Sequence, residues 1–396
     1  MARRARVHSR DLQPLLATPK GLLAVARVQR FEWPAQFPTT DVDELARKLH
    51  VGQTQETPQV TVTVEAFDVT HTTFAHMTGY SGDTYPVSGA SITELKNIDV
   101  IGQIRDASTK NIVNALYVKR GIVTGMDLSF GVRANSTASY TISSNSKKEF
   151  REPVYYEKFT LVTESGVQTL SNTPTYLTRT SGYIIDAYRT GTDLTTGYLD
   201  EGTDFTVTGA NINFNGNSTA TGDTVWVTYT SPITTKTFEA LDDASPAAIQ
   251  GKYVPVTISV SSIPRVQSAT IRVAFQTEEI LEMGGLGKPV GYEIGIPQVT
   301  GDMSVLKTDN DLLAILEDVA NTTVENDMEY AKNTLPLKIQ LKDPRDTGKT
   351  VLTYYVPSIT ITAEGDDDSV NASMNETFSW SSSTGELIVM SGVGVY

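Results

Sequence analysis

The chain has 396 residues, a formal net charge of −14, four histidines and no cysteine. That length accommodates two or three domains with cores of their own. The missing cysteines exclude disulfides and thiolate metal sites, the acidic balance disfavours nonspecific adhesion to nucleic acid, and no run approaches the roughly 18 apolar residues of a membrane-spanning helix.

Residues 1–20 read as a basic arm carrying Arg3, Arg4, Arg6 and Arg10. Two readings stand side by side, a solvated tail and an arm that docks on a neighbour's acidic surface. A secretory leader is not expected, because Pro14, Pro19 and Lys20 interrupt Leu15-Leu16 and Leu22-Leu23.

From residue 21 onward, period-two runs of Val, Ile, Thr, Tyr and Phe dominate. A strand is expected around Ala24–Phe31, followed by a long loop over 31–58. Within that loop Asp41–Leu49 reads as a short helix: Asp41 caps, Glu44 sits three residues later, and Val42, Leu45 and Leu49 share a face. Pro58-Gln59-Val60-Thr61 opens a strictly alternating strand through Val64. A short helix over Thr72–Met77, a hairpin turning at Ser108-Thr109-Lys110 and a strand pair ending near Phe150 complete the segment.

Residues 153–246 read as a separate small β domain rich in Thr, Gly and Tyr. Phe205–Val207, Ile212–Phe214 and Val225–Tyr229 suggest a three-strand meander, and excising the segment is expected to leave the remainder folded.

Beyond it the chain repeats itself. Arg27-Val28-Gln29 returns as Arg265-Val266-Gln267, and Pro58-Gln59-Val60-Thr61 as Pro297-Gln298-Val299-Thr300. Gln103-Ile104-Arg105-Asp106 returns as Gln340-Leu341-Lys342-Asp343, Tyr117-Val118 as Tyr355-Val356, and Thr141-Ile142-Ser143 as Thr377-Phe378-Ser379. Five matches in one order, at nearly one spacing, indicate a duplication whose copies span 21–150 and 251–396. In the second copy, Val254–Val260 alternates as an edge strand because of Pro255, and Thr270–Phe275 is the first strand of the repeat. Glu278–Glu282 is the expected loop helix, stopped by Gly284-Gly285. Asn310–Val319 is a helix with an apolar face, Asp346-Thr347-Gly348 a hairpin turn, and Leu387 the end of the last strand pair.

Chemistry-bearing patterns are thin. His8, His50, His71 and His76 show no ligand spacing, and no His or Cys base supports a nucleophile triad. Met283–Pro289 lacks the spacing of a phosphate loop, and Glu364–Asp368 reads as a charged turn rather than a calcium loop. No catalytic, cofactor or metal residue is assigned, and no enzymatic activity is expected.

A duplicated unit of strand, long loop, strand, short helix and closing hairpin, with a β insertion and an acidic balance, resembles the tail tube (major tail) proteins of long-tailed bacteriophages, in the variety with two tube domains per chain. The resemblance is architectural and covers 21–150 and 251–396. It implies a mainly β chain: two tube-type β-sandwich or barrel domains, each with a short helix, and an immunoglobulin-like insertion on the outer surface. It further implies a structural protein of a siphophage virion, made in the host cytoplasm, that stacks trimeric, pseudo-hexameric rings into a tube. Tape-measure, baseplate and terminator proteins would be its partners, with no membrane involved. DNA would pass through the lumen without specific binding, and the long loops would latch subunits together. Phe31, Trp33, Phe37, Leu45 and Leu49 in the first loop, and Ile280, Leu281 and Met283 in the second, are the interface candidates.

Other classes compete. A carbohydrate-binding, adhesin-like tandem β protein would present Tyr183, Tyr188, Tyr198 and Trp226 as an aromatic platform. A β-sandwich hydrolase would need a convergent carboxylate pair. A baseplate hub would share the tube fold.

Overall fold

In a computed structural model the described residues are 11–18, 21–42, 52–55, 58–67, 72–78, 90–91, 97–163, 165–190, 196–216, 218–233, 235–241, 248–259, 261–263, 265–281, 289–306, 335–367 and 375–392. The chain is mainly β. The first part runs β1 (Leu12–Thr18), β2 (Gly21–Ala24), β3 (Val28–Glu32), β4 (Ala35–Gln36), β5 (Thr39–Val42), β6 (Gly52–Gln55), β7 (Gln59–Ala66), helix α1 (Thr72–Thr78), β8 (Ala90–Ser91), β9 (Ile98–Arg105), β10 (Ile112–Gly131), β11 (Thr137–Ser144) and β12 (Lys147–Phe150). The middle part holds β13 (Val154–Thr160), β14 (Val167–Thr169), β15 (Ile184–Thr190), β16 (Thr196–Tyr198), β17 (Phe205–Thr208), β18 (Asn211–Phe214) and β19 (Thr224–Thr230). The last part holds β20 (Val256–Ile258), β21 (Ser261–Ser262), β22 (Val266–Ala274), β23 (Thr277–Leu281), β24 (Pro289–Ile294), β25 (Gln298–Leu306), β26 (Leu335–Asp343), β27 (Asp346–Asp367), β28 (Asn375–Ser382) and β29 (Ile388–Ser391).

The contacts divide the chain into two compact units. The first comprises residues 1–25, 96–121 and 144–242. It contains an antiparallel sheet in the order β2–β1–β9–β10–β12, to which β10 gives its Ile112–Val118 stretch. It also contains a sandwich of two sheets, β13–β19–β15–β16 and β14–β18–β17. Central β19, hydrogen-bonded to β13 and β15 along its edges, is buried on both faces, and one face sends Val225, Val227 and Tyr229 into the sandwich core. Leu161, Leu170, Leu199, Phe205, Ile212, Phe214, Val225 and Val227 fill the sandwich from both sheets. The expected three-strand meander is therefore corrected: β17 and β18 form a hairpin in one sheet, whereas Val225–Tyr229 lies in the other.

Val154 and Ile185 of the sandwich share a buried cluster with Leu15, Ala17, Ala24, Ile101, Ala115 and Tyr117 of the neighbouring sheet. Excising residues 153–246 would strip the cover from those side chains, which argues against the expected clean deletion. Burial at roughly 25 cal/mol per Å² makes exposure of several large apolar groups costly.

The second unit comprises residues 26–95, 122–143 and 243–396. One sheet runs β3–β7–β11–β10–β22–β25–β28–β27, with β10 contributing Ile122–Gly131. A second layer runs β21–β20–β26–β27–β29–β8. The 22-residue β27 belongs to both, so the pairings link the layers in one barrel-like network. Alternation does the sorting: β7 and β25 both start exposed–buried–exposed–buried from their glutamines, sending Val60, Val62 and Val64, and Val299, Met303 and Val305, inward.

Several local expectations change. Glu278–Leu281, expected as part of a helix, lie instead in β23, paired with β24, and Glu282 lies outside the described residues. Asp41 and Val42 lie in β5, paired with β6, and the rest of the expected Asp41–Leu49 helix lies outside the described residues. Both long loops thus project β-hairpin arms. A five- to nine-residue helix barely pays its nucleation cost, while a downstream strand satisfies every second backbone group at once. The turn expected at Asp346–Gly348 falls earlier, at Pro344-Arg345, because Asp343 already faces Asp346. Residues 364–367, expected as a turn, continue β27. The Thr72–Met77 helix is present as α1, and Asn310–Val319 lies outside the described residues.

Candidate assembly edges

Inside the second unit, the sheets of the two repeat segments meet at one seam, β10 against β22. Gly125 faces Ala274, Asp127 faces Arg272, Leu128 faces Ile271 and Gly131 faces Ser268. Phe275 N–H adds a hydrogen bond to the Thr124 carbonyl at 3.0 Å. Leu128 and Ile271 are buried, and Phe130 rests on Tyr354 with ring centroids 5.7 Å apart. Arg272 also reaches Asp302 at 2.8 Å.

Each strand at this seam has a counterpart on the outside of the same sheet. Thr141 faces Gly125 and its repeat Thr377 faces Gly365, which matches Gly365 on β27 to Gly125 on β10. Gln59 faces Gln36 and its repeat Gln298 faces Ala274, which matches Gln36 beside β3 to Ala274 on β22. Among the described residues, β3 pairs only with β7, and the Ile361–Asp367 stretch of β27 only with β28. Among the described residues, the seam strands therefore each have an outer twin whose far edge pairs with no strand. A Cβ on Gly125 would touch the Val273 carbonyl, whereas one on Gly365 would meet nothing within 4 Å.

An open row of backbone donors and acceptors is a template for a further strand. The two open edges are the halves of an antiparallel pair that the chain already makes once, and a surface that fits its own opposite end repeats around an axis.

The predicted interface residues sit unevenly against these edges. Phe31 lies on β3, half-buried and 4.6 Å from the Trp33 ring. Phe37 is 62% exposed, just before the first hairpin arm, and Ile280 is 50% exposed on the second. Leu281 ends β23, while Leu45, Leu49 and Met283 lie outside the described residues. Ile296, at 77% exposed beside the foot of the second arm, had not been singled out. Nor had Gly365 and Gln36; glycine within a strand run was the one available signal, since it marks a close backbone approach.

The competing sites fare differently. Trp226 is buried, with Lys158 Nζ 5.5 Å from its ring centre, and Tyr198 lies under the Arg120 guanidinium at 3.4 Å. Tyr188 packs on both rings, and Tyr183 is half-buried and packs edge-on to Tyr176. Among the described residues no group of three or more His, Asp and Glu side chains is arranged to hold a metal. No described helix is long and apolar enough to cross a membrane. Comparison with known proteins finds no family model that matches this chain and no curated sequence significantly similar to it.

Proposed function

We propose that this protein is a structural subunit that polymerises through its open sheet edges into closed rings, and that the stacked rings form the tail tube of a long-tailed phage. The observation that carries the reading is the internal β10–β22 seam, with its two strands duplicated on the outside as unfilled edges. In this reading the second unit, residues 26–95, 122–143 and 243–396, carries both tube-type halves, and three chains give a pseudo-sixfold ring. Ring closure removes both edges, the usual remedy for unpaired strands. The sandwich of residues 154–230 is an immunoglobulin-like decoration on the outer surface. An acidic chain suits a channel through which DNA slides without adhering.

The seam predicts a register between chains: Gly365 of one beside Gln36 of the next. The chain has no cysteine, so every disulfide of a Gln36→Cys/Gly365→Cys double variant involves these two positions alone, and the two single variants, which can make only 36–36 or 365–365 links, identify the 36–365 link by difference. Negative-stain microscopy with light-scattering mass should show rings or tubes in multiples of three chains. Mild oxidation should then give a covalent ladder that ends at three. Tubes that form without this cross-link would overturn the register, and a monomer at high concentration that binds glycans would overturn the tube reading.

A further inference from the structure

The first unit encloses charges that a sandwich does not need for packing. Asp186 on β15 of the inserted sandwich is buried, and its Oδ1 accepts from Lys119 Nζ and from Arg120 Nη2, each at 3.0 Å. Arg120 holds a left-handed backbone, φ 52°, at an irregularity in β10. Its N–H donates to Asp99 Oδ1 at 2.7 Å, and its guanidinium covers Tyr198 of β16. Tyr117 donates its hydroxyl to the other oxygen of Asp99. One residue thus holds β9 by its backbone and the inserted sandwich by its side chain.

We propose that this cluster is a proton-sensitive latch, clamping the inserted sandwich to the β9–β10 sheet while Asp99 carries a proton and loosening when Asp99 ionises. Asp99 as a residue keeps some exposed surface, but its carboxylate is enclosed by protein, and the carboxylate's surroundings decide its charge. Lys119 and Arg120 face the site from β10 and Asp186 from β15. Tyr117, Tyr156 and Tyr198 face it from β10, β13 and β16. Burial first, and the Asp186 charge second, push Asp99 up to about 7. Burial also pushes all three tyrosines up, which keeps them neutral. Because the folded-state value lies above the unfolded one, the stabilisation is complete below the ordinary carboxylate range. It is lost as pH rises from there through about 7.

Hydrogen exchange of the full chain at about pH 6 and about pH 8, corrected for intrinsic rates, tests this. Peptides spanning β15 and β16 should open about tenfold more often one pH unit above the titration. Asp99→Asn, which keeps an acceptor for Arg120 N–H and is uncharged at both pH values, should abolish the difference. Equal corrected protection at both pH values in the native chain, or an unchanged difference in Asp99→Asn, would overturn the latch. Should Asp99→Asn fail to fold, infrared spectroscopy of the native chain decides. A buried carboxyl stretch that disappears near neutral pH supports the latch, and its absence overturns it.

Discussion

Arg27 and Arg265, far apart in the chain, hold the same left-handed backbone, φ 58° and 59°. The carbonyl of each accepts the side-chain amide two residues on, Gln29 Nε2 and Gln267 Nε2, both at 3.0 Å. Each carbonyl also accepts the N–H just past or at the end of the partner strand, from Phe67 at 3.3 Å and Leu306 at 3.2 Å. A β-branched residue tolerates this conformation poorly. Arg27→Val and Arg265→Val should therefore each lower stability by roughly 1–2 kcal/mol, with similar size at the two sites, measured by urea unfolding. A large effect at one and none at the other would show that the two corners do not perform the same task.

Ile185 couples the inserted sandwich to the sheet around Leu15 and Tyr117. Ile185→Ala should cost about 2–4 kcal/mol, the transfer and cavity terms of a buried large-to-small change. Deletion of residues 153–246 should yield insoluble protein or a protein that binds a hydrophobic dye. A soluble deletion variant with native-like unfolding would refute the shared core.

Gly301 on β25 has no room for a side chain, since a Cβ there would run into the Thr270 carbonyl and the Trp380 ring. Gly301→Ala should cost about 1–3 kcal/mol by overpacking and should alter the fluorescence of Trp380. Gly197→Ala, where nothing lies within 4 Å, is the control expected to stay near native stability.

Asp106 closes the β9–β10 turn by accepting from the Ser108 and Thr109 backbone N–H groups, both at 2.9 Å, and from both hydroxyls. The Ser108 hydroxyl is the largest of these influences, and together they hold the carboxyl down at about 2. A depressed value means that the contribution is present above the unfolded carboxylate range and disappears as pH falls through about 2. Amide exchange at Ser108 and Thr109 should therefore stay slow down to about pH 3. In Asp106→Ala it should be fast throughout.

Phe37 and Ile280 are solvent-facing, so Phe37→Ser and Ile280→Ser should change chain stability by no more than about 0.5 kcal/mol. Assembly is where they should act, raising the protein concentration at which rings or tubes appear. Unchanged assembly in both variants would remove the hairpin arms from the interface.

Much of the strand content was legible because period-two alternation records which face each residue must bury. Val60–Val64 and Gln298–Val305 behave as their patterns require. The errors share a cause. Glu278–Leu281 and Asp41-Val42 carry local helix signals, but a strand later in the chain supplies ladder hydrogen bonds that a short helix cannot match. Val225–Tyr229 was read with its sequence neighbours, whereas it pairs with Val154–Thr160 and Ile184–Thr190.

By itself, the sequence determined the recurrence of short motifs, the mainly β character and the lack of thiol chemistry, because these rest on residue identity and short-range periodicity. Tertiary structure alone decided which edges stay open, that Gly365 and Gln36 are the outer twins of Gly125 and Ala274, and that Asp99, Arg120 and Asp186 share one enclosed site. Pairing register and the proximity of distant charges depend on contacts made across large separations in the chain. No local pattern of side chains encodes which distant strand will arrive beside it.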